Sequence, residues 1–208
     1  MKKVLALLGL LFIVVSCEDK GIVEDIFEQE NVNKIYYNVP SYYLDNSLIG
    51  VNYKKFDSHS NPLDITVVDY NLDGYNDVVE SNSHYGTMSR NKFLFYLGQP
   101  DGSLKPDILN TNKFEGLVHS RKGIVGDYNL DGIPDLFFIG HGYDQPPFPG
   151  EYPVLFLGSN TFEFKVKYFK ELVDFYHTGA SADIDGDGDL DILLIGHQTI
   201  YLENNGKG

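Results

Sequence analysis

The sequence has one cysteine, Cys17, in 208 residues. An internal disulfide and a cysteine-based zinc site are therefore excluded, and stability must come from packing or from bound ions. Basic residues are scarce as well, with 16 Lys and Arg against 30 Asp and Glu and a formal charge of -14. That sign opposes docking onto a phosphate backbone and argues against nucleic acid as a partner. The apolar run Val4–Val15 is too short to cross a bilayer as a stable helix. No Gly-x-Ser-x-Gly elbow or His-Glu-x-x-His pattern occurs, so no familiar catalytic motif can be assigned. The length suits one ordinary domain or slightly more, and is too short for a closed multi-bladed assembly.

What is present leans towards an all-β chain rich in turns. Apolar residues make up 42% and aromatics 14%, enough for a sizeable core, and 21 Gly and 9 Pro accompany 15 Tyr and 14 Phe. The amino terminus reads as an export signal: Lys2 and Lys3 precede the apolar run, which ends in Val14-Val15-Ser16-Cys17. A small residue directly before the lone cysteine, with an aliphatic residue two places earlier, resembles the lipobox of bacterial lipoproteins. By that resemblance residues 1–17 are a signal peptide and Cys17 is the lipidated first residue of the mature protein. The alternative is an ordinary secretory signal that happens to contain a cysteine. Residues 18–45 read as a polar, acidic tether and amino-terminal segment, and the pair Glu18-Asp19 suggests onward export to the cell surface.

Self-similarity dominates the remainder. The segments Asp69–Asp77, Asp127–Asp135 and Asp183–Asp191 begin 58 and 56 residues apart and share carboxylates or amides at positions one, three and five, glycine at six and aspartate at nine. Alternating oxygen donors in a tight loop suit a hard cation, and four side chains with the backbone carbonyl at position seven approach the ~6–8 ligands that Ca²⁺ takes. The first copy also fits an EF-hand, with Glu80 at position twelve. Phe138 and Leu194 occupy that position in the other copies, and Pro134 would disrupt a continuing helix, so the EF-hand reading fails. Short β-forming runs flank each loop, Asp64–Val68 and Val78-Val79, Gly123–Gly126 and Leu136–Ile139, with Ile192–Ile195 after the third. Each loop is therefore expected to join a hairpin. A third strand is expected at Phe93–Leu97, Val154–Leu157 and Ile200–Leu202, and a fourth near Leu104–Leu109 and Phe162–Tyr168.

Four short antiparallel strands in each repeat match the size of a propeller blade. The motifs resemble the FG-GAP and VCBS repeats of integrin alpha-chain propellers and many secreted bacterial proteins, over about residues 50–208. The resemblance implies a seven- or eight-bladed β-propeller with calcium in the first hairpin of a blade. Only about three repeats are present (59–118, 119–176 and an incomplete 177–208, within 46–208), so a partial propeller or a fragment is expected. Carried over, the side-chain ligands for about three Ca²⁺ would be Asp69, Asn71, Asp73 and Asp77; Asp127, Asn129, Asp131 and Asp135; and Asp183, Asp185, Asp187 and Asp191. Tyr75, Ile133 and Asp189 would add backbone carbonyls. The open edge of the third repeat calls for cover from Ile35–Tyr43, from a second copy or from another chain.

All six histidines occupy two recurring places: His59, His119 and His177 before the first strand of a repeat, and His84, His141 and His197 after the second. Hairpin geometry puts both sets at the end away from the loops, forming a histidine-lined face. Converging pairs suit a ligand, an anion or a transition metal; the other reading is that each caps a strand and packs on its neighbour. The long segment His141–Gly150 belongs to the same face, where Tyr143 and Phe148 would stack on a sugar or between blades and Asp144 would accept hydroxyls. The leading functional expectation is a lipid-anchored, calcium-binding surface module for an extracellular glycan or protein, with the membrane met only through the lipid. The alternatives are a polysaccharide lyase or hydrolase acting from the histidine face, and a structural partner in a surface complex.

Overall fold

Short runs of β-branched and aromatic residues broken by Gly, Asp and Asn become eleven strands and no helix among the described residues of the computed structural model, 62–82 and 87–208. These residues belong to one unit, Asp57–Gly208. Cys17, the tether, the segment Ile35–Tyr43, His59 and His84 lie outside the described residues.

The strands form three antiparallel meanders. The first runs β1 (Pro62–Val68), β2 (Asp77–Asn82), β3 (Leu94–Gly98) and β4 (Leu104–Pro106) in sequence order. The second runs β5 (Ser120–Gly126), β6 (Asp135–Gly140), β7 (Val154–Leu157) and β8 (Lys165–Tyr168). The third comprises β9 (Thr178–Ala182), β10 (Asp191–Ile195) and β11 (Thr199–Leu202), with no fourth strand among the described residues. Each aspartate-rich segment joins the first two strands in one register, in which Val68 pairs with Asp77, Gly126 with Asp135 and Ala182 with Asp191. Glu80 lies inside β2, buried and opposite Ile65 and Leu94, as the rejection of an EF-hand requires.

The fourth strands are shorter than the sequence suggests. Pro106 has no N–H for a ladder, and the next residue turns the chain: Asp107 Oδ1 accepts from the Leu109 N–H at 2.8 Å and its Oδ2 from Asn110 Nδ2 at 2.7 Å. Ile108 is consequently 92% exposed. In the second repeat the Phe162 N–H bonds back to the Ser159 carbonyl at 2.9 Å, and the strand begins only at Lys165.

The second sheet carries the core because it is covered on both faces. Every residue of β6 is buried, and alternate side chains point to opposite sides. Leu136 and Phe138 join Val79, Phe93, Phe95, Val154 and Phe156 in a cluster shared with the first sheet. Phe137 and Ile139 join Tyr128, Tyr176, Ile192 and Leu194 in one shared with the third. Burial on both faces is why Leu136–Ile139 reads as an unbroken apolar run rather than an alternation. Ring packing tightens the first cluster, with Phe93 centred 4.6 Å from Phe138 and 4.9 Å from Phe156.

The first strands of successive sheets also meet, β5 lying between β1 and β9. The approach is close enough that a Cβ on Gly123 would overlap Thr66 Oγ1 and stand 2.7 Å from the Phe138 ring. Gly123→Ala should therefore destabilise the chain by about 1–3 kcal/mol. Val125→Ala, at a 41%-exposed position of the same strand, should change stability by less than about 0.5 kcal/mol. Urea denaturation of both variants tests this, and equal midpoints would rule out tight packing between the first two sheets.

Candidate metal loops and the histidine end

Each aspartate-rich loop is shaped by its own side chains. In the first, Asp69 Oδ2 accepts from the Gly74 N–H at 2.8 Å and its Oδ1 from the Asp73 N–H at 3.1 Å, while Asp73 Oδ1 accepts from the Tyr75 N–H at 2.9 Å. The second repeats this with Asp127 accepting from Gly132 at 2.8 Å and Asp131 at 3.0 Å, and Asp131 accepting from Ile133 at 2.9 Å. In the third, Asp183 accepts from Gly188 at 3.2 Å and Gly186 at 2.7 Å, and Asp187 accepts from Asp189 at 3.1 Å. The carboxylates at positions one and five are thereby fixed in place by the loop's own amides.

The backbone needs two left-handed residues to achieve this. Glycine at position six supplies one, with φ of 90°, 81° and 99° at Gly74, Gly132 and Gly188. Position four supplies the other: Leu72 and Leu130 both hold φ of 58°, and Gly186 holds 83°. A non-glycine residue there costs about 1–2 kcal/mol. Sequence reasoning missed position four, although the glycine of the third copy was a signal in plain view.

Position nine has an architectural role that the sequence does not announce. Asp77 is fully buried, with Oδ2 accepting from the Tyr70 N–H at 3.1 Å and Oδ1 from the Gly98 N–H at 2.9 Å. Asp135 does the same with Tyr128 at 2.8 Å and Gly158 at 2.7 Å, and Asp191 with Ile184 at 3.0 Å and Asn204 at 2.9 Å. Each joins the start of its loop to the end of the third strand; the oxygens of Asp77 and Asp135 retain a second lone pair, whereas Asp191 Oδ2 also accepts from the Tyr201 hydroxyl at 2.9 Å. Burial pushes Asp77 and Asp135 up to about 6, whereas the Asn204 amide leads a set of hydrogen bonds that holds Asp191 below its usual value.

Oxygen donors are densest in the third loop, where Asp183, Asp185 and Asp187 each bring a carboxylate oxygen within 4.8 Å of the others. Burial and then the surrounding carboxylates raise Asp189. The first two loops place Asn71 and Asn129 at position three, where the amide nitrogen of each donates to the position-five aspartate at 3.1 Å. Tyr75 and Ile133 occupy position seven in these loops, with Asp189 in the third.

At the other end of the hairpins the histidines gather. The His141 N–H donates to the His119 carbonyl at 3.2 Å, and the two rings are centred 4.1 Å apart. His141 also stacks on Phe175 at 4.3 Å and 15°, and lies 5.7 Å from His177. His119 and His141 are buried, whereas His177 and His197 are exposed. His197 Nδ1 is 3.0 Å from Asp174 Oδ1, and its ring lies 5.5 Å from Phe175. In the long loop Tyr143 is half-buried, Asp144 is exposed, and Phe148 meets the Phe175 ring edge-on at 5.6 Å.

Two acidic side chains, which the sequence reading left out, organise this end. Glu151 Oε1 accepts from the His119 and Gly142 N–H groups, each at 3.0 Å, and Oε2 from the Val118 N–H at 2.7 Å. Asp174 does equivalent work one sheet on, accepting from the Phe175, His197 and Gln198 N–H groups. The two residues face each other across an antiparallel bridge. That pairing spans sequence-distant segments, so no local pattern could have revealed it.

Residues 127–194, from the second loop through most of β10, match the family model of an FG-GAP-like repeat. No curated protein matches the chain. With this match, the three meanders are blades of a partial β-propeller.

Burial lowers His119 to about 4 and lowers His141 too. An unfolded histidine titrates near ~6.5, so the unfolded chain binds the extra proton first as the pH falls. The stability tied to neutral His119 should be fully present above pH ~6.5 and be lost on descending towards pH 4. Thermal melts in chelator should show this acid slope, reduced in His119→Gln; an identical slope in the variant would refute it.

Proposed function

We infer, from the FG-GAP-like repeat of residues 127–194, that this chain is a cell-surface β-propeller module that takes one Ca²⁺ in each aspartate loop and binds an extracellular glycan or protein. The observation that carries the calcium reading is the third loop, with three carboxylate oxygens within 4.8 Å of one another on a backbone bent to converge them. Dense hard oxygen donors fit Ca²⁺ better than softer ions. Side chains at positions one, three and five, the carbonyls of Tyr75, Ile133 and Asp189, and the spare lone pairs of Asp77, Asp135 and Asp191 form the ligand set. Calcium here is structural: extracellular sites of ~10⁻⁴–10⁻³ M affinity stay filled at millimolar calcium. The ion offsets the mutual repulsion of eleven aspartates held in three short loops.

The binding end is opposite, where Phe148 offers 42% of its surface and Tyr143 and Asp144 stand nearby. Aromatic faces with an adjacent carboxylate suit a sugar ring and its hydroxyls. A second reading, a polysaccharide lyase or hydrolase, draws on the buried pair His119 and His141, whose lowered ionisation leaves an imidazole able to accept a proton at neutral pH. A second copy or another chain would pair along β11, an edge of the third sheet. Lipid on Cys17 would tether the module to the outer membrane.

The full chain dialysed against Ca²⁺ should retain ~three ions. Its melting temperature should fall by at least about 4 °C in chelator, and Asp185→Asn with Asp187→Asn should remove one ion. No retained calcium, or an unchanged melt in chelator, would refute the metal-loop reading. Cys17→Ala should abolish the lipid adduct by mass spectrometry and move the protein from the membrane to the soluble fraction; persistent membrane association would dispose of the anchor.

A further inference from the structure

Two imidazoles and a carboxylate meet at the end of the second blade that lies away from its aspartate loop. His119 immediately precedes β5 and His141 immediately follows β6, so the Ser120–Gly140 pairing brings them side by side. Asp144, three residues further along, completes a set in which one donor atom from each residue lies within 4.8 Å of the other two. We propose that His119, His141 and Asp144 form a site for one divalent transition-metal ion of the Zn²⁺ type, distinct from the aspartate loops.

The donor set points to this class of ion. Two imidazole nitrogens and one carboxylate oxygen suit zinc and its neighbours, whereas Ca²⁺ takes oxygen alone. Metal–nitrogen bonds of about 2.0–2.1 Å in a tetrahedron need donor separations of about 3.4 Å, so the set, now within 4.8 Å, tightens on binding through small rotations of the two imidazoles and of the exposed Asp144 side chain. Three protein ligands leave a fourth position for water or a ligand atom, the pattern of an open rather than a closed site. His177, centred 5.7 Å from His141, stands on the next blade and outside the set.

The surroundings prepare both histidines. His141 Nδ1 lies 3.1 Å from the Gly142 carbonyl, which assigns the proton to Nδ1 and the lone pair to Nε2. Glu151 pins the backbone of both ligand-bearing segments through the His119 and Gly142 amides, and Phe175 holds the His141 ring by stacking. Burial keeps both rings in the neutral form that a metal requires. Arg121 opposes a cation here, and Asp144 offsets it. A purely packing role for the two rings would account for the stacking but would place no demand on Asp144.

The test uses the full chain, saturated with Ca²⁺ and titrated with Co²⁺. One equivalent should bind with the visible d–d absorption of low-coordinate cobalt, and Zn²⁺ should displace it. His119→Gln and His141→Gln should each abolish the absorption while leaving the calcium content and far-UV circular dichroism unchanged. Asp144→Asn, at an exposed side chain, should weaken Co²⁺ binding by roughly tenfold or more, and His197→Gln should leave it unaltered. Absence of the absorption in the wild-type chain, or equal Co²⁺ affinity in Asp144→Asn, would overturn the proposal. Calcium content is read in the same samples, so the failure of this site and the failure of the calcium reading are separately visible.

Discussion

A buried carboxylate holds each repeat together. Asp77, Asp135 and Asp191 are fully buried, and each accepts one amide from the head of its loop and one from the end of its third strand. Removing such an acceptor leaves two backbone donors unpaired, at about 1–3 kcal/mol each. The loop, the hairpin and the third strand are thus one mechanical unit, and the geometry of the outward-facing oxygens is inherited from a bond network beneath them.

The same economy operates at the other end of the hairpins. Two strands in a fixed register deliver a residue before the first and a residue after the second to the same place, which in the second blade means His119 beside His141. Glu151 and Asp174 then gather the amides of these exits, each from a different position in the chain. Acidic residues therefore serve both ends, converging towards solvent at one and satisfying backbone donors at the other.

Much of this was legible in the sequence because the repeat announces itself three times over. The Asp-x-Asn/Asp-x-Asp-Gly signature located the hairpins, and the apolar run Leu136–Ile139 located the most buried strand. The strained backbone of Leu72 and Leu130 was hidden by an ordinary side chain, and only Gly186 in the third copy disclosed it. The early end of β4 was set by Asp107, whose side chain competes with the ladder. Tyr70 and Tyr128 looked like loop residues but are 2% exposed, because a loop position borders the interface between blades. The clasp by Glu151 depends on contacts between distant segments, which local pattern does not carry.

The alternation within β6 has a consequence for how the chain comes apart. Phe138 belongs to one interface and its neighbour Phe137 to the other, so the middle sheet cannot loosen without breaking both at once. Among the described residues each flanking sheet shares a cluster with one neighbour only, and at the second loop position Ile184 is 51% exposed where Tyr70 and Tyr128 are enclosed. Stability in such an array is a sum of nearest-neighbour couplings, which makes cooperativity directional. Among the described residues β6 is thus the strand coupled on both faces, and its amide hydrogens exchange most slowly.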